Sequence, residues 1–247
     1  MYELATAAIF VASGIAFVVT GHRPTPYGRY DQGRPGPPER VGWFLIFAPL
    51  PITFVAAYVR GRHATELVPL VLAAGFCGHA LYRGFIDPWR RRPPPGRTIA
   101  WRLVAFGAVA SAVLGGLNGR LVGDLAPDRS WRWLISFRFL YGALLFTTGL
   151  GVSRWADGVL RKLRRRGEGG HDIPRGGLFD DVSCPNYLGE ILMWLGWAIA
   201  TWSAIGLATA TWTAARLLPR AFSHHLWYRR RFVDYPRRRT ALIPYLL

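Results

Sequence analysis

VSCPNYLGEILMWLGWAIATWSAIGLATATWTAA, residues 182–215, carries one formal charge, Glu190. An α-helix rises about 1.5 Å per residue, so this stretch would make a rod of about 50 Å. The hydrocarbon core of a bilayer is only about 30 Å thick. The stretch is too long for one simple span and too apolar for a loop. It is therefore read as two helices, with a tight turn near residues 201–206. Five further windows pass the same test of length: residues 4–21, 41–59, 67–86, 97–119 and 133–153. The third is interrupted by His79 and Arg83, the fourth has Arg102 near its start, and the fifth contains Arg138. The sequence thus predicts an all-α polytopic membrane protein of seven transmembrane helices.

The charge pattern agrees. The 247 residues are 51% hydrophobic yet carry a formal net charge of +17. Arginine is crowded into short segments between uncharged runs, as in a multi-pass membrane protein. A nucleic-acid binder would instead carry basic residues along amphipathic helices, so no nucleic-acid partner is expected. With seven spans, residues 21–40, 87–97, 154–177 and the tail from Arg216 share one face. They hold about 23 of the 31 Lys and Arg residues, against about five in the opposite loops. Basic loops stay inside, which puts the N-terminus out and the C-terminus in the cytoplasm. The run 4–19 lacks a basic leader and a small-residue cleavage site, so it reads as a first membrane helix rather than a signal peptide. Cys77 and Cys184 have no CxxC partner, and small apolar core roles fit them better than a disulfide or a metal. The tail from Phe222 mixes aromatics with arginine and ends in ALIPYLL. A disordered tail carries fewer aromatics, so this one is built to fold back.

Several residues are not explained by insertion alone. Asn186 and Glu190 are four apart and share a helix face. A carboxylate in a membrane helix is costly and faces a polar cavity or partner. The plainer alternative makes Asn186 an N-cap and pairs Glu190 with an arginine. Arg83 and Arg138 either face the interior or snorkel to the surface. Arg161, Lys162, Arg164, Arg165 and Arg166 form a cytoplasmic cluster that either sets topology or neutralises a phosphate. No GxGxxG or GxxxxGK[ST] is present, so a phosphate ligand would be held by arginines and not by a glycine-rich turn. His224, His225 and Tyr228 lack a second cluster with zinc spacing. No metal is expected, and hydrogen bonding or interfacial packing suits them.

The segments DGVLRKLRRRGE, IPRGGLF, VSCPNYLGEILMWLGWAIATWS, RAFSHH, DYP and ALIPYLL resemble, in order and spacing, those of the steroid 5α-reductases. Upstream, TPYGRY, WFL at 43–45, FCGHALYRGF and SFRF are similar to the same family. The resemblance implies one membrane domain over residues 1–247, with a cofactor-binding half at about 154–247. It implies an NADPH-dependent reductase of an inner membrane or its equivalent, acting on a lipid-soluble enone; a monomer is expected. By position, Tyr27, Arg83, Arg97, Asp157, Arg164, Asn186, Glu190, Arg220, His224 and Tyr228 would surround the cofactor. Trp43, Phe47 and Ala80 would line the substrate.

Two positions depart from the family. The carbonyl-polarising glutamate and tyrosine of the family align with Phe47 and Ala80. Tyr82 cannot substitute directly, because two residues along a helix turn it by about 200°. Asp172 and His171 also stand where the family has arginine and tyrosine. The expected activity is saturation of a carbon–carbon double bond in a steroid-like or isoprenoid lipid. Two other readings stay open: a membrane methyltransferase using S-adenosylmethionine, and a non-catalytic relative that binds lipid or cofactor.

Overall fold

The computed structural model describes residues 1–23, 25–30, 33–91, 93–125, 130–166 and 172–246, apart from the side chains of Arg29 and residues 164–166. Among these residues the regular structure is helical. The helices are α1 (Tyr2–His22), α2 (Glu39–Phe47), α3 (Pro49–Tyr58), α4 (Leu67–Leu81), α5 (Asp87–Arg90), α6 (Trp101–Arg120), α7 (Phe137–Arg166), α8 (Pro185–Thr201) and α9 (Ala204–Arg231). Only two isolated bridges, Pro38–Thr98 and Val182–Thr240, have β character among the described residues. Among the described residues, four stretches are long and apolar enough to cross a membrane: Tyr2–His22, Glu39–Tyr58, Leu67–Arg90 and Trp101–Leu125. The remaining three helices differ for physical reasons. α8 has 17 residues, about 25 Å at the usual rise. α7 and α9 are long, but charges cut their apolar parts short, Arg138, Arg154 and Asp157 in α7 and Arg216 and Arg220 in α9.

The chain divides into two compact units, Pro26–Leu140 and Glu3–Thr25 with Tyr141–Leu247. In the first unit, Pro49 and Pro51 supply no backbone N–H, and the helix is interrupted at Ala48 between α2 and α3. α6 presents a small residue every fourth position: Gly107, Ser111, Gly115, Gly119 and, beyond its end, Gly123. A Cβ on Gly107 would meet Ile46, and on Gly115, Gly119 or Gly123 it would run into the backbones of Leu50, Phe54 and Tyr58. Removing side chains lets two helix backbones touch where lipid gives no hydrophobic drive. The close approach also lets Thr53 Oγ1 donate to the Ala112 carbonyl at 2.9 Å. A strap completes the unit: Glu39 N–H donates to Arg97 O and Ile99 N–H to Pro37 O. This brings residue 97 beside the first turn of α2.

In the second unit α7 and α8 pack through glycines seven apart on both helices, Gly142 and Gly149 against Gly189 and Gly196. The turn that the length of residues 182–215 requires falls at Trp202 and Ser203. Trp202 takes a left-handed conformation (φ 45°, ψ 54°), and Ser203 caps α9 by accepting from Gly206 N–H.

Three boundaries differ from the sequence expectation. α7 runs through the segment expected as a loop from residue 154 as far as Arg166, the last residue described before 172, because Arg, Lys and Leu are strong helix formers. α9 likewise continues past Arg216 to Arg231, with Pro219 inside it. Arg138, expected inside a span, lies at the second residue of α7 and is exposed. The tail then folds back as expected: Ser183 N–H donates to Thr240 O and Cys184 N–H to Ala241 O, with Leu242 fully buried.

Candidate active site

α8 opens with Cys184 as its N-cap and Pro185 in its first turn. Asn186 is therefore inside the helix, not its cap, and its side chain is available for other work. Its Nδ2 donates to Asp157 Oδ1 of α7 at 3.3 Å. One turn on, Glu190 is buried and accepts from Ser153 Oγ at 3.3 Å. Gly189 lies between the two polar residues and is what lets α7 come this close, since a Cβ there would strike the Ser153 backbone. Asn186 and Glu190 thus both face α7, with Asp157 and Ser153 four apart as their partners.

A second group sits on α9, where residues 220, 224 and 228 fall on one face. Arg220 is buried. Its Nε donates to Tyr187 Oη at 3.1 Å and one Nη to Thr25 O at 3.2 Å. Tyr187 Oη also lies 3.3 Å from His224 Nε2. Tyr228 is stacked on Tyr235 at 5.4 Å and on Phe232 at 6.0 Å.

Behind this face, Ser183 ties the tail down. Its hydroxyl donates to Thr240 O at 2.9 Å and lies 2.6 Å from Tyr235 Oη and 2.7 Å from His225 Nδ1. A serine hydroxyl has one proton, so Tyr235 O–H and His225 Nδ1–H are the donors in the other two bonds. Burial, then the charges of Arg229 and Arg239, hold His225 below the ordinary histidine range. Burial pushes the Tyr235 phenol up, against the opposing effect of its contacts with Ser183 and Arg239. Arg239 is itself buried, donating to Pro174 O at 3.1 Å with its guanidinium 5.0 Å from the Tyr235 ring.

In the unit of residues 26–140, Tyr27 meets Trp43 edge-on at 5.0 Å, and Trp43 stacks on Phe47 at 5.7 Å. Arg83 lies over Phe47 at 5.2 Å and Arg91 over Trp43 at 4.8 Å. Glu39 joins two of the expected residues: Oε1 accepts from Trp43 Nε1 at 3.2 Å, and Oε2 is 3.9 Å from Arg97 Nε. Ala80 is fully buried. Arg164, by its side chain, and His171 lie outside the described residues.

Apart from Ala80 and Arg164, the expected residues therefore fall into three groups: Asp157, Asn186 and Glu190; Arg220, His224 and Tyr228; and Tyr27, Trp43, Phe47 and Arg83, with Arg97 joined through Glu39. Sequence reasoning missed their partners. Ser153, Tyr187 and Ser183 carry no charge and have no spacing signal. Glu39, Asp87 and Arg91 had one, since Glu39 precedes Trp43 by four and Asp87 lies four from both Arg83 and Arg91.

Residues 100–247 match the sequence profile of the family described as 3-oxo-5-alpha-steroid 4-dehydrogenase. Steroid 5-alpha-reductase DET2 of Gossypium hirsutum is 40% identical, covering 90% of this chain and 88% of its own. The chain belongs to the steroid 5α-reductase family. 3-Oxo-5-alpha-steroid 4-dehydrogenase 2 is 38% identical in Macaca fascicularis and 37% in Homo sapiens, each covering 98% of this chain and 96% of its own. The steroid 5α-reductase profile takes in all of α6 to α9 and so both polar groups on α8 and α9. The relatives extend the likeness across α2 and α4, where Phe47 and Ala80 stand.

Proposed function

We propose that this membrane oxidoreductase uses NADPH to saturate the carbon–carbon double bond of a lipid enone, steroid-like or isoprenoid. The observation that carries the reading is the pair Asn186 and Glu190, held by Asp157 and Ser153 on one face of an apolar helix. The residues suit the cofactor chemically. A carboxamide needs a donor and an acceptor, which Asn186 and Glu190 supply. Ribose hydroxyls suit carboxylates such as Asp157. Phosphate oxygens suit guanidinium forks, which Arg97, Arg164 and Arg220 offer. When bound, NADPH supplies hydride to the β-carbon of the enone. The chain's part is to orient and shield: Tyr187 holds His224 and Arg220 together, Tyr228 lies in an aromatic stack, and Trp43 holds Tyr27 and Phe47 in an aromatic cluster beside Arg83 and Arg91. The names of the relatives, 5-alpha-reductase and 3-oxo-5-alpha-steroid 4-dehydrogenase, support a ring enone as the substrate class.

The same reading takes residues 1–247 as one functional domain with seven spans and a cytoplasmic C-terminus. Titration of purified protein in detergent with NADPH, NADH and S-adenosylmethionine tests it. NADPH is expected to bind most tightly. Tighter binding of the methyl donor overturns the reading in favour of a methyltransferase. NADPH binding without oxidation across a panel of enones overturns it in favour of a non-catalytic relative.

A further inference from the structure

α4 ends in a turn of π-helix, Tyr82–Ile86, and α5 follows at once from Asp87. Turns of this kind are rare and gather at functional sites. Here the turn sets three charged residues on one face. Asp87 is 2% exposed. Its Oδ2 accepts from Arg91 Nε at 3.0 Å and from an Arg91 Nη at 2.7 Å, and lies 3.5 Å from an Arg83 Nη. The two guanidiniums lie on the stacked rings of α2, Arg83 on Phe47 and Arg91 on Trp43. Arg83 and Asp87 lie within a stretch apolar enough to cross a membrane, and Arg91 follows its last residue. Cations so placed are costly and mark functional sites.

Phe47 and Ala80 hold the positions where the resemblance puts the carbonyl-polarising pair. Arg83 lies on the ring of the first and follows the second by three residues, so it shares a helix face with it. We propose that Arg83 is the group that meets the substrate's carbonyl oxygen, and that Asp87 is the residue that positions it. This rests on the reductase reading above, and it assigns Arg83 to the substrate and not to the cofactor.

As hydride adds to the β-carbon, the π pair moves onto the carbonyl oxygen and makes an enolate. A fixed guanidinium stabilises that charge more than it does the neutral ketone, which is the requirement for catalysis. Guanidinium does not release its proton at working pH, so a water protonates the α-carbon, the hydroxide left behind takes a proton from solvent, and the saturated ketone and NADP⁺ leave. Phe47 and Trp43 hold the guanidinium planes by cation–π contact.

The test compares wild type with Arg83→Gln and Asp87→Asn in detergent, with a Δ4-3-ketosteroid as substrate. NADPH affinity is measured by titration, hydride transfer in single turnover, and equilibrium binding with a steroid bearing a carboxylate in place of the ketone. In Arg83→Gln, hydride transfer should slow by about 100-fold or more, while NADPH affinity stays within about threefold of wild type. The carboxylate steroid should lose about tenfold in affinity while the ketone loses little. Asp87→Asn should lower kcat by about tenfold with KM little changed. Loss of NADPH affinity in step with the rate in Arg83→Gln overturns the assignment, as does full turnover in that variant. Absence of turnover in wild type with NADPH bound overturns the reductase reading, and this assignment with it.

Discussion

Asn186 donates to a carboxylate on a neighbouring helix, and that bond explains why an amide stands in an apolar stretch. Its removal leaves Asp157 without this donor and takes away half of the proposed carboxamide recognition. Asn186→Ala should therefore raise the Kd for NADPH by about tenfold, close to 1.4 kcal/mol, measured by titration in detergent. An unchanged Kd would place Asn186 in packing alone. Arg164 separates two roles for its basic cluster. If it contacts the 2′-phosphate, Arg164→Ala weakens NADPH by about tenfold more than NADH. Equal loss for both nucleotides would mean a diffuse field. At this scale the sequence was informative where charge interrupts an apolar run, as at Glu190 and Arg83. It was silent for Ser153, Tyr187 and Ser183. A neutral hydroxyl in an apolar helix looks like any other small residue until its partner comes alongside.

Helices pack here through missing side chains. The four-residue spacing of Gly107, Ser111, Gly115, Gly119 and Gly123 was on view in the sequence, but a reading for charge-free length passes over it. Gly119→Ala should destabilise the protein by about 1–3 kcal/mol, read as a lower Tm in detergent, because the added Cβ meets the Phe54 backbone. Gly75→Ala in α4 meets nothing within 4 Å and should leave Tm unchanged or slightly raised. The tail latch has its own signature. The folded state holds His225 below its ordinary value, so it binds fewer protons than the unfolded chain in that window. The latch's contribution is complete above the ordinary histidine pKa of about 6.5 and is lost as pH falls through and below it. Tm should drop between about pH 7.5 and 5.5, and His225→Asn, which keeps a donor for Ser183, should flatten that drop. The ends of α7 and α9 were misplaced for a related reason. Charge marks where a helix leaves the apolar layer, but not where it ends.

Across the whole chain, composition and the spacing of uncharged runs were enough for an all-helical membrane fold, and the break at residues 201–203 follows from length alone. The terminal motifs were enough for the family. Neither conveys the π-turn at Tyr82–Ile86, through which the four-residue spacing of Arg83, Asp87 and Arg91 runs and on which the proposed role of Arg83 depends. The most direct test of the central claim follows the hydrogen itself. Protein in nanodiscs is given NADPH deuterated at the transferred position of C4, together with a panel of steroid and isoprenoid enones, and the products are read by mass spectrometry. One deuterium at the β-carbon of a saturated product is the predicted result. A saturated product without deuterium, or unchanged enones throughout while NADPH is bound, would contradict it.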